Sequence, residues 1–205
     1  TTMAPFDSVD VRKGISQAID REQIVNIAMY DYTHPADSSG LSDAFPAFKT
    51  EDASTQGEWV TLNVDAANAA LDAAGLALDG DTRKTADGNA MEYELLVVTG
   101  WSDWVAACEI MAANLAEVGI KATVTPLDYN AWYDKVSKGE FEMSIGWSDG
   151  GATPYSFYLG CMSTSTVRPI GTLSPQNWQR FGSEEADTLM NEMAATGDIE
   201  TQKGI

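Results

Sequence analysis

The chain has 205 residues, 44% of them hydrophobic, and its 31 acidic against 12 basic residues give a net charge of -19. This length supports one sizeable core, whereas the charge would repel nucleic acid and an anionic membrane surface, so neither is an expected partner. No run of about 18 apolar residues is present, so the sequence contains no candidate membrane-spanning helix.

The first part of the chain predicts short helices followed by a long irregular segment. No basic and apolar leader precedes them, so we expect a processed protein or a piece of a larger one. Residues 7–30 hold two apolar runs at helical spacing, and Asp20 between them, with Gln23 three positions later, has the pattern of an N-cap. Two helices meeting at a corner are therefore predicted. Residues 31–57 are rich in Ser, Asp, Pro and Ala, and a loop of this length is usually functional or mobile.

A capped helix and a turn-rich stretch come next. Asn63 is predicted to cap a helix over residues 64–74, with Gly75 at its C-terminal end. Residues 76–90 contain three aspartates that resemble a calcium loop, but Arg83 occupies a ligand position and the closing glutamate is misplaced. A solvated hairpin is the preferred interpretation.

The second half alternates strands and helices. Strands are predicted over residues 91–99, 120–127 and 141–147, and helices over residues 102–118 and 129–137. Short connections between such elements favour an α/β fold, with helices packed on a sheet. A last helix is predicted over residues 183–195, with a buried stripe that comprises Ala186, Leu189, Met190 and Met193. Residues 199–205 are typical of a loop or the start of a helix.

Residues 139–160 form the stretch around which we expect the function to be organised. Apolar and polar residues alternate from Phe141 to Trp147, which is the pattern of a half-buried strand. Small, turn-forming residues follow, and Thr153-Pro154 is predicted to open a short helix that carries Tyr155. A strand that ends in tryptophan, followed by a glycine loop and an aromatic cluster, predicts part of a ligand cleft.

Motifs for catalysis, cofactors and metals are weak or absent. Residues 146–150 match the G-x-S-x-G pattern around Ser148, but the histidine base should follow the serine, and the only histidine is His34 upstream. A carboxylate pair for glycoside hydrolysis stays open, since its geometry is spatial. We predict no enzyme, no cofactor and no metal site. Cys108 and Cys161 are interpreted as two buried thiols, with a single disulfide as the alternative.

Aromatic residues supply the candidate binding surface. The chain has six tryptophans and seven tyrosines, and flat uncharged rings suit the apolar face of a sugar. Trp101 and Trp147 each follow a predicted strand, and either ring could stack on a ligand or pack in the core. For Trp104 we prefer the interpretation that its side chain packs in the core. Asp103 and Asp149 could accept hydroxyl hydrogen bonds, although an aspartate near a helix start is equally a cap.

Three stretches carry a resemblance to a known family. They are VRKGISQAIDREQIV at residues 11–25, NVDAANAALDAAGL at residues 63–76, and IMAANLAEVGIKATVTPLDYNAWYDKVSKGEFEMSIGWSD at residues 110–149. In this order they resemble the extracellular solute-binding proteins of ABC importers that carry oligopeptides, dipeptides, nickel and oligosaccharides (family 5), and R-x-x-I-x-x-A-I-D-R-E is quite specific to them. Family members are two-lobed and much longer, so the resemblance implies that residues 1–205 are a single lobe, the C-terminal one, with a periplasmic-binding-protein-like fold and a mixed sheet.

The resemblance also implies a ligand class and a setting. Peptide binders of the family carry an acidic residue three positions after the Trp of the Gly-Trp turn, and Gly150 stands there in this chain. The stretches around Trp101 and Tyr155 instead resemble members that bind cellobiose-type or xylo-oligosaccharides. We therefore expect an oligosaccharide-binding protein, with oligopeptide binding as the alternative and a carbohydrate-active enzyme as the rival of another class. Trp101 and Trp147 would stack on the sugar, Asp103 and Asp149 would accept hydrogen bonds, and Tyr155 would line the wall.

The setting follows from the same resemblance. It implies a monomer at the extracellular or periplasmic face that delivers its ligand to a membrane permease, with a lipid anchor on the full-length protein as one mode of attachment.

Overall fold

The computed structural model describes residues 2–49, 57–148 and 150–205. Its strands are β1 Leu78–Asp79, β2 Thr82–Arg83, β3 Glu92–Val98, β4 Lys121–Leu127 and β5 Met143–Ser144. Its α-helices are α1 Val9–Ala18, α2 Arg21–Gln23, α3 Val64–Ala73, α4 Ser102–Glu117, α5 Tyr129–Lys138, α6 Tyr155–Met162, α7 Glu184–Ala194 and α8 Ile199–Gly204. A π-helical turn, Ile24–Ala28, continues α2. Within these described residues, no helix combines the length and the apolar character needed to span a bilayer.

The main sheet has three parallel strands in the order β4-β3-β5. The strands β3 and β4 pair along their whole length, from Glu92 opposite Lys121 to Val98 opposite Leu127. The helices α4 and α5 form the crossovers that parallel pairing requires. Antiparallel pairing occurs in a separate ribbon of β1 and β2. The α/β class and the mixture of parallel and antiparallel strands are thus confirmed.

Side-chain caps set the helix starts where the sequence predicted them. The Asp20 carboxylate accepts from the Gln23 amide at 2.9 Å, and the Asn63 side chain accepts from the Ala66 amide at 2.9 Å. Each cap satisfies an amide that has no partner inside its helix. Gly75, with φ of +80°, follows α3. The two-helix corner and the capped helix are therefore confirmed.

The third strand of the main sheet is shorter than predicted. The alternation in residues 141–147 predicted a strand of that length, but β5 has only two residues. It pairs with β3 solely through Met143 opposite Leu95 and Ser144 opposite Leu96. Beyond Ile145, whose amide still donates to the Leu96 carbonyl, the backbone leaves the sheet, so the predicted strand length is wrong.

The predicted apolar stripe of α7 is partly wrong. Met190 and Met193 are buried, but the side chain of Leu189 is 42% exposed. The helix packs against α6 on one side, and Leu189 lies outside the covered strip. Helical spacing cannot give the width of that strip, because the neighbouring helix determines it.

The ribbon of β1 and β2 conceals a buried arginine. Arg83 is 0% exposed, and its Nε donates to the Val118 carbonyl at 2.9 Å while Nη2 donates to Asn68 Oδ1 at 2.7 Å. Its Nη1 donates to the Leu76 carbonyl and pairs with the Asp72 carboxylate. The prediction of a solvated hairpin is wrong at this residue, because Arg83 joins the ribbon to α3 and to the end of α4.

Cys108 is a buried thiol and forms no disulfide with Cys161, which is half-buried. Burial, with a smaller contribution from Glu109, raises the pKa of the Cys108 thiol to about 12. At pH 8 the group is therefore protonated and a poor nucleophile.

Cys108 should resist iodoacetamide in the folded protein and react once the chain is unfolded in denaturant, as peptide mass mapping would show. Modification of folded Cys108 at the rate of an exposed thiol would contradict this expectation.

Candidate ligand-binding site

Three aromatic residues lie just beyond the carboxyl ends of the parallel strands. Trp101 follows β3, Tyr129 follows β4 and Trp147 follows β5, each within three residues of the strand end. Because parallel strands end at the same edge, the rings come together: their centroids lie 6.1 Å (Trp101–Tyr129), 6.1 Å (Trp101–Trp147) and 6.4 Å (Tyr129–Trp147) apart. We call Trp101, Tyr129 and Trp147 the aromatic platform. The edge at which it lies is where open α/β sheets bind ligands.

The aromatic platform is open to solvent. Tyr129 is 45% and Trp147 42% exposed, and Trp101 is half-buried. The ring planes of Tyr129 and Trp147 are within 4° of parallel, so the two residues present faces of the same orientation. Large aromatic groups normally bury most of their area, and a cluster left open indicates a contact surface.

A fully buried tryptophan supports the platform from below. Trp132, on α5, has its ring centroid 5.1 Å from that of Trp147 and 6.4 Å from that of Trp101. Its indole Nε1 donates to Ser144 Oγ at 3.0 Å, and the Ser144 hydroxyl lies 2.9 Å from the Ile145 carbonyl. The exposed rings are thus held by a packed and hydrogen-bonded layer, which limits the entropy lost when a ligand binds.

Two more tryptophans brace the platform at its sides. Trp178 contacts Trp132 and Trp147 edge-on, at centroid distances of 5.5 Å and 5.1 Å, and its indole donates to the Ser174 carbonyl at 3.1 Å. Trp104 meets Trp101 edge-on at 5.0 Å. Trp104 is half-buried and packs against the cluster formed by Leu95, Val97 and Cys108, in agreement with the core role preferred from the sequence. Edge-to-face contacts of this kind add to the stability gained from burial.

Of the predicted site residues that the structure describes, it brings only two together in the platform. Trp101 and Trp147 lie together in the platform. Asp103 is exposed in the first turn of α4, where its carboxylate accepts from the Trp104 amide at 2.9 Å. Tyr155 is half-buried at the start of α6, and none of the ring contacts in the described part of the chain joins it to the platform. Asp149 lies outside the described residues.

Sequence reasoning did not select Tyr129 or Trp178 as site residues. Tyr129 directly follows Asp128 at the end of β4, and the argument from strand ends that selected Trp101 would also have found it. Trp178 lies in a stretch without regular secondary structure, and no periodicity marks it.

Two further observations concern groups that could hold a metal or act with Ser148 among the described residues. Within the residues that the structure describes, no group of three or more His, Cys, Asp or Glu side chains could hold a metal ion. His34 Nε2 lies 2.6 Å from Asp43 Oδ2, and no described hydrogen bond links it to Ser148. A small cavity of about 40 Å³ separates Trp147 and Ser148 from Gly160 and residues 175–179. The platform presents aromatic ring faces, those of Trp101, Tyr129 and Trp147.

Comparison with protein families decides the relationship. The family model described as bacterial extracellular solute-binding proteins, family 5 middle, matches residues 1–168. The chain belongs to this family. The resemblance inferred from residues 11–25, 63–76 and 110–149 is thereby confirmed. A search of curated proteins gave no match.

Solved structures of family 5 solute-binding proteins share the fold. A periplasmic oligopeptide-binding protein from Thermotoga maritima with bound mannohexaose aligns with a TM-score of 0.89 and 22% identity, over 98% of this chain and 38% of its own. DppA from Helicobacter pylori, in complex with the peptide STSA, aligns with a TM-score of 0.80 and 17% identity, over 100% of this chain and 36% of its own. NikZ from Campylobacter jejuni, in complex with Ni(L-His), aligns with a TM-score of 0.78 and 19% identity, over 98% of this chain and 38% of its own.

These comparisons establish the fold and leave the ligand open. The chain spans less than two fifths of each solved relative, and the relatives were crystallised with a sugar, a peptide and a nickel complex. Proteins that share this fold therefore bind chemically different ligands. The ligand class of this chain has to be argued from its own side chains.

Proposed function

We propose that residues 1–205 form the C-terminal lobe of an extracellular or periplasmic solute-binding protein that captures an oligosaccharide for an ABC importer. The observation that carries the proposal is the aromatic platform, three adjacent rings at the carboxyl edge of the parallel sheet. The bound mannohexaose of the Thermotoga maritima relative supports the same ligand class. The full-length protein would act as a monomer that passes its ligand to a membrane permease, with a lipid anchor as one mode of attachment.

The platform matches the shape and polarity of a sugar chain. The axial C–H groups of a pyranose form an apolar face that stacks on an aromatic ring, while the hydroxyls at its rim require hydrogen-bond acceptors. Trp101 and Trp147 would stack on successive rings, with Tyr129 beside them. Asp103 and Asp149 would accept hydroxyl hydrogen bonds, and Tyr155 would line the wall of the cleft.

Ligand capture would use closure of two lobes. A ligand seated on the platform would also contact the second lobe, and contacts made only in the closed form shift the population toward closure. The platform itself would change little, because Trp132 supports it from below and Trp178 packs against Trp147 at its side.

Oligopeptide binding is the alternative within the same family, and the Helicobacter pylori relative with its bound peptide favours it. A peptide amino terminus requires a carboxylate, and Gly150 stands where the peptide binders of the family carry an acid. Asp149 or an acid on the other lobe would then have to take that role. A carbohydrate-active enzyme is the rival of another class; a binding protein should release no product on prolonged incubation with an oligosaccharide.

Replacing Trp147 with alanine in the full-length protein should weaken oligosaccharide binding by about 1–3 kcal/mol, roughly a 5- to 150-fold increase in Kd. The physical reason is the loss of the most central of the platform rings, which contacts Trp101, Tyr129 and Trp132. Isothermal titration calorimetry would measure the change.

A matched control is Tyr32→Ala. Tyr32 is 93% exposed and lies outside the platform, so its removal should leave the affinity within about twofold. Equal affinities of the Trp147→Ala variant and the unaltered protein would contradict the assigned role.

A further inference from the structure

A small cavity adjoins the aromatic platform beside Trp147. It has a volume of about 40 Å³ and lies between Trp147 and Ser148 on one side and Gly160, Cys161 and residues 175–179 on the other. We call it the side cavity. Trp147 is 42% exposed and Ser148 is exposed too, so this end of the cavity meets the solvent beside the platform. A ligand that stacks on Trp147 therefore lies next to the side cavity.

Hydrogen bonds hold the far wall of the side cavity in place. Gln179 Nε2 donates to the Cys161 carbonyl at 2.8 Å, which joins the two chain segments that form this wall. Asn177 is 3% exposed, and its Nδ2 donates to Thr166 Oγ1 at 2.9 Å and to the Phe181 carbonyl at 2.7 Å. Because the wall is fixed in this way, little free energy is spent on ordering it when a ligand group enters.

The size and polarity of the side cavity select a small polar substituent. A water molecule needs roughly 10–15 Å³ of such space, so 40 Å³ accommodates a group of about two or three non-hydrogen atoms and excludes a whole sugar ring. Four of the lining residues have polar side chains, namely Ser148, Gln176, Asn177 and Gln179. Hydroxyl and side-chain amide groups both donate and accept hydrogen bonds, as a hydroxyl of a ligand also does.

Hexose and pentose chains differ by one substituent of this kind. A hexopyranose carries a hydroxymethyl group at C5, which consists of one carbon and one oxygen atom, whereas a pentopyranose such as xylose carries only hydrogen there. The hydroxymethyl group projects beyond the rim of the sugar ring, so on a hexose stacked against Trp147 it can reach a cavity beside the tryptophan. A hydroxyl bonded directly to the ring supplies a single oxygen and fills less of the space.

We propose that the side cavity receives the hydroxymethyl group of a hexose unit, and that the protein therefore prefers gluco-oligosaccharides to xylo-oligosaccharides. This inference rests on the proposed function, since it assigns the sugar class of the same site. With a pentose on Trp147 the cavity would hold water alone, and the contacts of the hydroxymethyl carbon would be lost. One carbon more or less in a fitted pocket changes specificity by about 10-fold or more, so we expect a preference of at least that size.

Isothermal titration calorimetry of the full-length protein with cellotetraose and xylotetraose, two chains of equal length, tests this proposal. The variant Gly160→Ala adds a methyl group at a buried position of α6 that lines the side cavity. The matched control is Gly204→Ala, the same change at the last residue of α8, where nothing lies within 4 Å of the added methyl group.

The unaltered protein and Gly204→Ala should bind cellotetraose about 10-fold or more tightly than xylotetraose. In Gly160→Ala this ratio should fall to within about threefold, because less of the cavity is left for the hydroxymethyl group, while the affinity for xylotetraose stays within about twofold. The xylotetraose titration also shows whether the variant is folded.

A second variant, Ser148→Ala, removes a hydroxyl from the side cavity and adds no bulk. It should weaken cellotetraose binding by about threefold or more and leave xylotetraose binding within about twofold. Equal weakening of both sugars would contradict a contact with the hydroxymethyl group. This variant keeps the test decisive if Gly160→Ala does not fold.

Two results would overturn this inference and leave the proposed function intact. One is equal or tighter binding of xylotetraose by the unaltered protein, and the other is a sugar preference in Gly160→Ala that equals that of Gly204→Ala. Binding of neither sugar by the unaltered protein would instead overturn the proposed function, and this inference with it.

Discussion

Replacing Trp132 with alanine is expected to lower the free energy of unfolding by about 3–5 kcal/mol, the range for deletion of a buried large aromatic side chain. Trp132 is 0% exposed, packs against Leu96, Val98 and Val136, and contacts the platform ring of Trp147. Its removal leaves a cavity directly beneath the platform. Urea unfolding followed by circular dichroism would measure the loss in the full-length protein.

The variant Trp132→Phe separates packing from hydrogen bonding. It keeps most of the ring volume but removes the Nε1 donor to Ser144, which should cost about 1–2 kcal/mol. A decrease in the free energy of unfolding below about 1 kcal/mol for Trp132→Ala would contradict the supporting role. A side chain whose packing contributes so little to stability could not hold the platform rings in place.

Replacing Arg83 with alanine should destabilise the protein by about 2–5 kcal/mol, because buried carbonyls that lose their hydrogen-bond donor cost about 1–3 kcal/mol each. The variant would leave the Val118 and Leu76 carbonyls without their guanidinium donor, and Asp72 without its partner. Those carbonyls lie at the junction of α3, α4 and the ribbon, so the loss should spread to the end of the main sheet. Chemical denaturation would measure it.

Arg168→Ala provides the matched control. Arg168 is exposed, and its guanidinium also donates to main-chain carbonyls, those of Ser165 and Val167 at 2.8 Å. Because water can replace those contacts, the substitution should change stability by no more than about 0.5 kcal/mol. If both variants lost the same free energy of unfolding, the buried Arg83 would contribute no more to stability than the exposed Arg168, which would contradict this expectation.

Elements fixed by local chemistry were predictable from the sequence. The caps at Asp20 and Asn63 act over three residues, and the strands β3 and β4 carry β-rich runs that tertiary contacts reinforce. The alternation of strands and helices also predicted an α/β fold with helices packed on a sheet, since helices connect successive strands.

Features that depend on distant neighbours could not be predicted in the same way. The length of β5 depends on where its backbone leaves the sheet, which it does beyond Ile145 although β3 continues to Val98. The burial of Arg83 depends on where α3 and α4 end. For the candidate site, strand ends were enough to select Trp101 and Trp147. Trp178 reaches the platform through a stretch that has no repeating pattern.

The measurement that tests the central claim most directly is a tryptophan-fluorescence titration of the full-length protein. One series would use β-linked gluco- and xylo-oligosaccharides and the other short peptides, each with the unaltered protein and the Trp147→Ala variant. A saturable change with a sugar alone, weakened in the variant, is the result that this account predicts. A saturable change with peptides alone would contradict it, and would assign the amine-binding role to Asp149 or to an acid of the other lobe.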